Sequence, residues 1–237
     1  MPTLILVRHG RSTANTTGVL AGRTPGVALD ERGHTQAAAL PARLADLPIA
    51  LAVSSPLQRC RETLQPLLAT RPETEMHIDD RLNECDYGDW SGRKLAELND
   101  EPLMQIVQQH PTAAAFPGGE SMRAMATRSA EAVREWNARV ERDHGADALY
   151  LACSHGDVIK ALAADALGLH LDQFQRIAVE PCSVTVIRYT RTRPFLVRLG
   201  DTGDLSSLAP RETPPAAEGA RGGEEGDATV GGDAGAP

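Results

Sequence analysis

Short apolar runs alternate with longer amphipathic stretches through most of the chain. Leu4-Ile5-Leu6-Val7 opens the pattern. Leu51-Ala52-Val53, Met76-His77-Ile78, Ala148 to Cys153, Val184 to Ile187 and Phe195-Leu196-Val197 repeat it. Runs this short and aliphatic predict strands, and the unbroken ones predict strands buried on both faces. The stretches between them have helical character. Asp30 can cap a helix that continues through Leu40, with Pro41 as a kink or a division. Ser55 is a candidate N-cap with Pro56 at the first helical position, for a helix from about Leu57 to Leu68. Glu101 to His110 predicts a short helix. Glu120 to about Arg142 predicts a long one, with Met122, Met125, Ala126, Ala132, Val133, Trp136 and Val140 on its apolar side. A last helix runs to Leu167 and ends at Gly168. Strand and helix in alternation, closed by a hairpin-like pair, predict a three-layer α/β/α sandwich around a mostly parallel mixed sheet with an antiparallel edge.

Composition sharpens this picture. The 237 residues are 41% apolar and only 3% aromatic, so the core is built from Ala, Leu and Val. A formal charge of -8 argues against nucleic acid or an anionic membrane as the main partner. Any anion site must be a local basic pocket in an acidic protein. Cys60, Cys85, Cys153 and Cys182 form no C-x-x-C pair, so no zinc site is expected. The first strand begins at once, without a basic-then-apolar leader, and no apolar run approaches the ~20 residues of a membrane span. A cytoplasmic location is the expectation. The pattern lapses after residue 208. Ala209 to Pro237 is Gly, Pro, Ala and Glu, with two arginines against six acidic residues. That divides the chain into a domain over 1–208 and an acidic tail over 209–237, expected to be disordered.

The candidate chemistry lies where strands end. Arg8-His9-Gly10 follows the first strand directly, at the strand edge where open α/β sheets bind ligands. Arg8 offers a planar fork of donors matched to phosphate oxygens. A neutral His9 offers a ring nitrogen lone pair as nucleophile. Ser12 and Asn15 add uncharged donors. Arg59 falls in the first turn of a helix that begins at a strand end, so its guanidinium and the helix N-terminus can face one anion. His155 repeats the logic of His9: a buried strand, then Ser154, then His155-Gly156, then a helix. Glu84 lies in a polar loop with Tyr87 and Trp90, and a carboxyl shielded by aromatics can hold its proton and act as an acid.

These segments together resemble the histidine phosphatase superfamily, also called the phosphoglycerate mutase-like family. Arg8-His9-Gly10-Arg11-Ser12-x-x-Asn15 is similar to its signature. Ser55-Pro56-Leu57-x-Arg59-x-x-x-Thr63 is similar to its second arginine motif, Leu82-x-Glu84-x-x-x-Gly88-x-Trp90-x-Gly92 to its acid loop, and Ser154-His155-Gly156 to its second histidine. They stand in the family's order. The resemblance implies the family's fold, His9 as the nucleophile that is phosphorylated, and Arg8, Arg59 and a protonated His155 as ligands of the phosphoryl group with Asn15 assisting. It implies Glu84 as the acid toward the leaving oxygen and the base toward water. It implies no cofactor and no metal, because two arginines and an imidazolium neutralise the charge.

Two branches of the family are separated by specificity residues. The mutases resemble this chain at Leu82-Asn83-Glu84 and Gly118-Gly119-Glu120-Ser121. Their acid loop, however, continues Gly-Leu-Asn-Lys, with an arginine pair further on for the substrate carboxylate. Here Gly92 precedes Arg93-Lys94-Leu95, and no Arg or Lys occurs between Lys94 and Arg123. The expectation is a phosphomonoesterase acting on a small phosphorylated metabolite. Arg23 and Arg93 are candidate substrate contacts, a phosphomutase is the alternative, and a non-catalytic phospho-ligand binder is the alternative of another class.

Overall fold

The computed structural model describes residues 1–203 and residue 231. Six strands form one sheet in the order β3-β2-β4-β1-β5-β6: β1 Thr3–Arg8, β2 Ile49–Ser54, β3 Glu75–Ile78, β4 Leu149–Ser154, β5 Val184–Arg188 and β6 Phe195–Asp201. β3, β2, β4 and β1 run parallel, whereas β5 pairs antiparallel with both β1 and β6. This is the predicted mixed sheet with its antiparallel edge.

Seven α-helices accompany it among the described residues: α1 Thr13–Thr16, α2 Glu31–Arg43, α3 Gln58–Ala69, α4 Leu95–Leu98, α5 Pro102–Gln109, α6 Met122–His144 and α7 Gly156–Leu167. Side chains alternate across a strand, and the core divides accordingly. Leu4 and Leu6 of β1, with Tyr150 and Ala152 of β4, pack on the side of α6 and α7. Ile5 and Val7, with Leu151 and Cys153, pack on the side of α2 and α3. A strand buried on both faces must be apolar at every position, and that is why the runs carry no polar alternation. Described helices include none long and apolar enough to cross a membrane.

Helix ends differ from expectation in three places that matter. Pro41 does not divide α2, which continues to Arg43; its missing N–H falls close to the C-terminus, and the Leu44 N–H still reaches the Leu40 carbonyl. Leu57, not Ser55, stands at the N-cap of α3 and makes no side-chain cap bond. The Ser55 hydroxyl is taken up by His155 instead. α6 begins at Met122 rather than Glu120, because the Ser121 side chain accepts the Ala124 N–H as its cap. Glu120 is thereby left outside the helix and free to turn toward the acid loop. The tail over 209–237 lies outside the described residues except for Gly231.

Candidate active site

The carboxyl ends of β1, β2 and β4 lie side by side and deliver His9, Ser55 and His155 to one place. Backbone bonds fix them: the His9 N–H donates to the Ser154 carbonyl and the Ser55 N–H to the Cys153 carbonyl, each at 3.0 Å. The turn after His9 is held by Gly10, whose N–H donates to the Thr63 hydroxyl of α3 at 2.9 Å. A Cβ on Gly10 would stand 2.8 Å from the Gly33 carbonyl oxygen, so only glycine lets α2 approach this turn. Cys182 crosses beneath in a left-handed conformation (φ 56°) and donates its N–H to the Arg8 carbonyl at 3.1 Å.

The hydrogen bonds define both histidine tautomers. His9 Nδ1 lies 2.8 Å from the Gly10 carbonyl, which only accepts, so Nδ1 carries the proton and Nε2 the lone pair. His155 Nδ1 lies 3.2 Å from Arg59 Nη2, which only donates, so its proton is on Nε2, 2.8 Å from the Ser55 hydroxyl. Ser55 passes the bond on to Asn83 Oδ1 at 3.1 Å. The two imidazoles sit 5.2 Å apart, centroid to centroid. Burial, then the charges of Arg59 and Arg8, hold His9 well below the ordinary histidine range. Burial, Arg59, His9 and Arg8 do the same to His155. The free site therefore holds both rings neutral. Burial and the neighbouring guanidiniums disfavour the protonated form of His155.

Arg59 is 2% exposed. Its Nη2 donates to the Gly22 carbonyl at 2.8 Å, but Nε and Nη1 are buried without a hydrogen-bond partner among the described residues. A buried guanidinium edge with no acceptor is costly, and an incoming oxyanion would satisfy it. Arg8 Nη1 donates to the Val179 carbonyl at 2.6 Å, and Nη2 lies 3.4 Å from the Gly231 carbonyl. The Ser12 N–H and hydroxyl both donate to Asn15 Oδ1, at 3.0 and 2.8 Å, so the Asn15 amide is turned with its NH2 available as a donor.

His9, Asn15, Arg59 and Glu84 line one pocket with Gly22, Tyr87 and the apolar side chains of Val19, Leu20 and Leu95; Gly231 reaches into it. Glu84 is 2% exposed, and its Oε1 accepts the Cys85 N–H at 2.9 Å. Burial first and the Asp157 carboxylate second push its pKa up to about 8. Its protonated form is thereby favoured far above the ordinary carboxylate range. The expected aromatic shield is half right: Tyr87 shares the pocket, while Trp90 packs on Phe116. Tyr87 instead donates its hydroxyl to Asp157 Oδ2 at 2.7 Å, and the Gly231 N–H donates to the same oxygen at 3.1 Å.

Arg23 and Arg93 do not line this pocket. Arg23 bonds the Glu84 carbonyl and Glu120, and Arg93 pairs with Glu101 at 2.8 Å near the surface. Ser55, Asn83, Asp157, Glu120 and Arg128 carry functional contacts that sequence reasoning did not assign. Their partners are remote in sequence; only the Gly118-Gly119-Glu120 break gave a visible signal.

Comparison with known proteins agrees with this geometry. The chain is 31% identical over 186 residues to 2,3-bisphosphoglycerate-dependent phosphoglycerate mutase 2 of Gloeobacter violaceus, covering 77% of this chain and 83% of that protein. It is 30% identical over 211 residues to phosphoserine phosphatase 1 of Hydrogenobacter thermophilus, covering 88% and 96%. Among solved structures, mycobacterial glucosyl-3-phosphoglycerate phosphatase in complex with VO3 superposes with a TM-score of 0.75 at 28% identity, over 84% of this chain and 99% of that one. Residues 4–202 match the Histidine phosphatase superfamily (branch 1), and they contain His9, Arg59 and Glu84 of the pocket with Arg8 and His155 next to them; the chain belongs to that superfamily.

Proposed function

We propose that the protein hydrolyses a small phosphomonoester in two steps, through a phosphohistidine on His9 and without a metal. The observation that carries this reading is the pocket itself. A histidine with a free Nε2 lone pair, an arginine edge lacking an acceptor, and a carboxyl protonated at neutral pH open onto one space. His9 Nε2 attacks phosphorus as the bond to the leaving oxygen breaks, and Glu84 gives its proton to that oxygen. Water then attacks phosphorus, Glu84 takes the water proton, the N–P bond breaks and phosphate leaves. Arg59, Arg8 and Asn15 hold the equatorial oxygens, and His155 takes up a proton as the dianion arrives. A binder would have no use for the proton on Glu84. Four buried free cysteines fit a reducing compartment, and we place the protein in the cytoplasm on that ground.

The lining beyond the phosphoryl end favours hydrolysis. Val19, Leu20, Ala21, Leu95 and Tyr87 offer no cation for a substrate carboxylate, and Arg93 is committed to Glu101. Mutase activity is the second reading, favoured by the similarity to a phosphoglycerate mutase. A panel of metabolite phosphomonoesters scored for phosphate release, with 2- and 3-phosphoglycerate interconversion run alongside, separates them. Phosphate release from a sugar or amino-acid phosphate at rates well above interconversion is the expected result. Interconversion faster than hydrolysis would overturn it.

A further inference from the structure

Outside the pocket, the acid loop is gripped from behind by an ion cluster that catalysis as described leaves without a role. The Glu84 carbonyl accepts from two guanidiniums, Arg23 Nε and Arg128 Nη2, each at 3.0 Å. Glu120 stands between them. Its Oε1 accepts from Arg23 Nη2 at 2.8 Å, from Arg128 Nη2 at 2.6 Å and from the Asp86 N–H at 2.9 Å; its Oε2 accepts from Arg128 Nε at 3.0 Å. Arg128 Nη1 continues to the Arg81 carbonyl at 2.6 Å. Arg23 comes from the loop after α1, Glu120 from the break before α6, and Arg128 from α6 itself. Two separate segments therefore converge on the backbone carbonyl of Glu84, whose side chain enters the pocket, and Glu120 from a third ties their guanidiniums to each other and to the Asp86 N–H.

The backbone makes the same join. The Glu120 N–H donates to the Asp86 carbonyl and the Asp89 N–H to the Pro117 carbonyl, at 2.9 and 2.8 Å. A Cβ on Gly119 would collide with the Asp86 carbonyl, so this contact exists only with glycine there. Among the described residues the one hydrogen bond of the Glu84 side chain is from the adjacent Cys85 N–H to Oε1. Its reach into the pocket is set by where its backbone is held.

We infer that Glu120, Arg128 and Arg23 are positioning residues that hold Glu84 at the distance proton transfer requires. They touch neither substrate nor reacting atoms. The inference rests on the reading of Glu84 as the leaving-group acid. Proton transfer is steep in distance, so a loosened loop should weaken acid catalysis before it weakens phosphate binding.

The test is rapid-quench phosphorylation with two substrates, an alkyl phosphate, whose leaving group needs the proton, and 4-nitrophenyl phosphate, whose phenolate does not. Glu120→Gln removes the charge shared by the two arginines. It should slow the alkyl reaction by about tenfold or more and the nitrophenyl reaction by less than about threefold, as expected for a partial loss of general acid catalysis. In a Glu84→Gln background the same change should add less than about twofold, because coupled residues are not additive. Arg23→Met, at the more exposed end of the cluster, removes one bond to the Glu84 carbonyl and should give the same selectivity in smaller measure. It serves where Glu120→Gln folds poorly by thermal melting. Equal slowing of both substrates, or an undiminished effect in the Glu84→Gln background, makes the cluster merely structural and overturns the inference. So does no effect in any variant. If Glu84→Gln alone slows both substrates equally, the reading of Glu84 as the acid fails and takes the inference with it; selective loss in Glu84→Gln with none in Glu120→Gln and Arg23→Met overturns the inference alone.

Discussion

At the residue scale, the site is a study in suppressed charge. Glu84 keeps its proton to about pH 8 because burial and the Asp157 carboxylate both penalise its anion. The proposed mechanism requires the acid form, so kcat/KM for an alkyl phosphate should hold through neutrality and fall as pH rises through about 8. His9 gives no matching loss in mild acid, because its pKa is held well below the ordinary range and its lone pair stays available. Glu84→Gln should flatten the alkaline limb. The same variant has a stability signature. The native carboxyl is protonated where the unfolded one is ionised, so native stability falls as pH rises from the ordinary glutamate range to about 8. Glu84→Gln should therefore gain melting temperature over the parent, with a gap that widens across that window. A gap independent of pH would mean that Glu84 titrates normally. His9, His155, Arg8 and Arg59 were visible in sequence because each stands at the end of a buried strand or soon after it. The strength of the Glu84 perturbation was not, since its second cause, Asp157, stands on a helix far along the chain. Ser55 misled for a related reason. A serine before Pro56 reads locally as a cap, and its actual partner is His155, brought close only by β2 lying beside β4.

At the element scale, the strands decide where the chemistry sits and the helix starts decide what it faces. Alternation of Leu4, Ile5, Leu6 and Val7 between two core layers pins β1 in register, and His9 follows from that register. α3 then carries Arg59 inward with two buried guanidinium nitrogens, Nε and Nη1, unsatisfied among the described residues. An anion that satisfies them must stabilise the fold. Inorganic phosphate or vanadate at about 100 times its Kd should add about 2.7 kcal/mol, or roughly 5–10 °C in melting temperature for a domain of this size. Arg59→Met should cost the free protein little, because it also removes a buried charge. It should lose most of the anion-induced shift. A shift that survives in Arg59→Met would place the anion elsewhere. The strands and long helices were readable from periodicity. The acid loop was readable only as a motif, because its shape comes from Glu120, Arg128 and Arg23, whose pairings have no sequence period.

At the scale of the whole molecule, the domain boundary at residue 208 stands as a proposal. Among the described residues the sheet ends at β6, and strands β1 to β6 with their helices supply both core layers. A chain ending at residue 208 should melt within a few degrees of the full protein. It should also show a lower KM, because Gly231, which lines the pocket and bonds Arg8 through its carbonyl and Asp157 through its N–H, leaves with the tail. Unchanged KM in the shortened chain would show that Gly231 does not compete with substrate. The sequence marked the tail through its composition, yet composition has no means of saying that one of its glycines meets Arg8.

The central claim is that His9 becomes phosphorylated on the way to products. Acid labels on serine or aspartate and phosphohistidine differ in stability, so a phosphoenzyme trapped by rapid quench into alkali and mapped by peptide mass spectrometry identifies the acceptor. The account predicts phosphate on the peptide containing His9, formed at least as fast as turnover, and absent from His9→Ala, which should retain the fold but no turnover. A competent phosphatase that shows no phosphoenzyme on the turnover timescale, or a label that persists in His9→Ala, would contradict it.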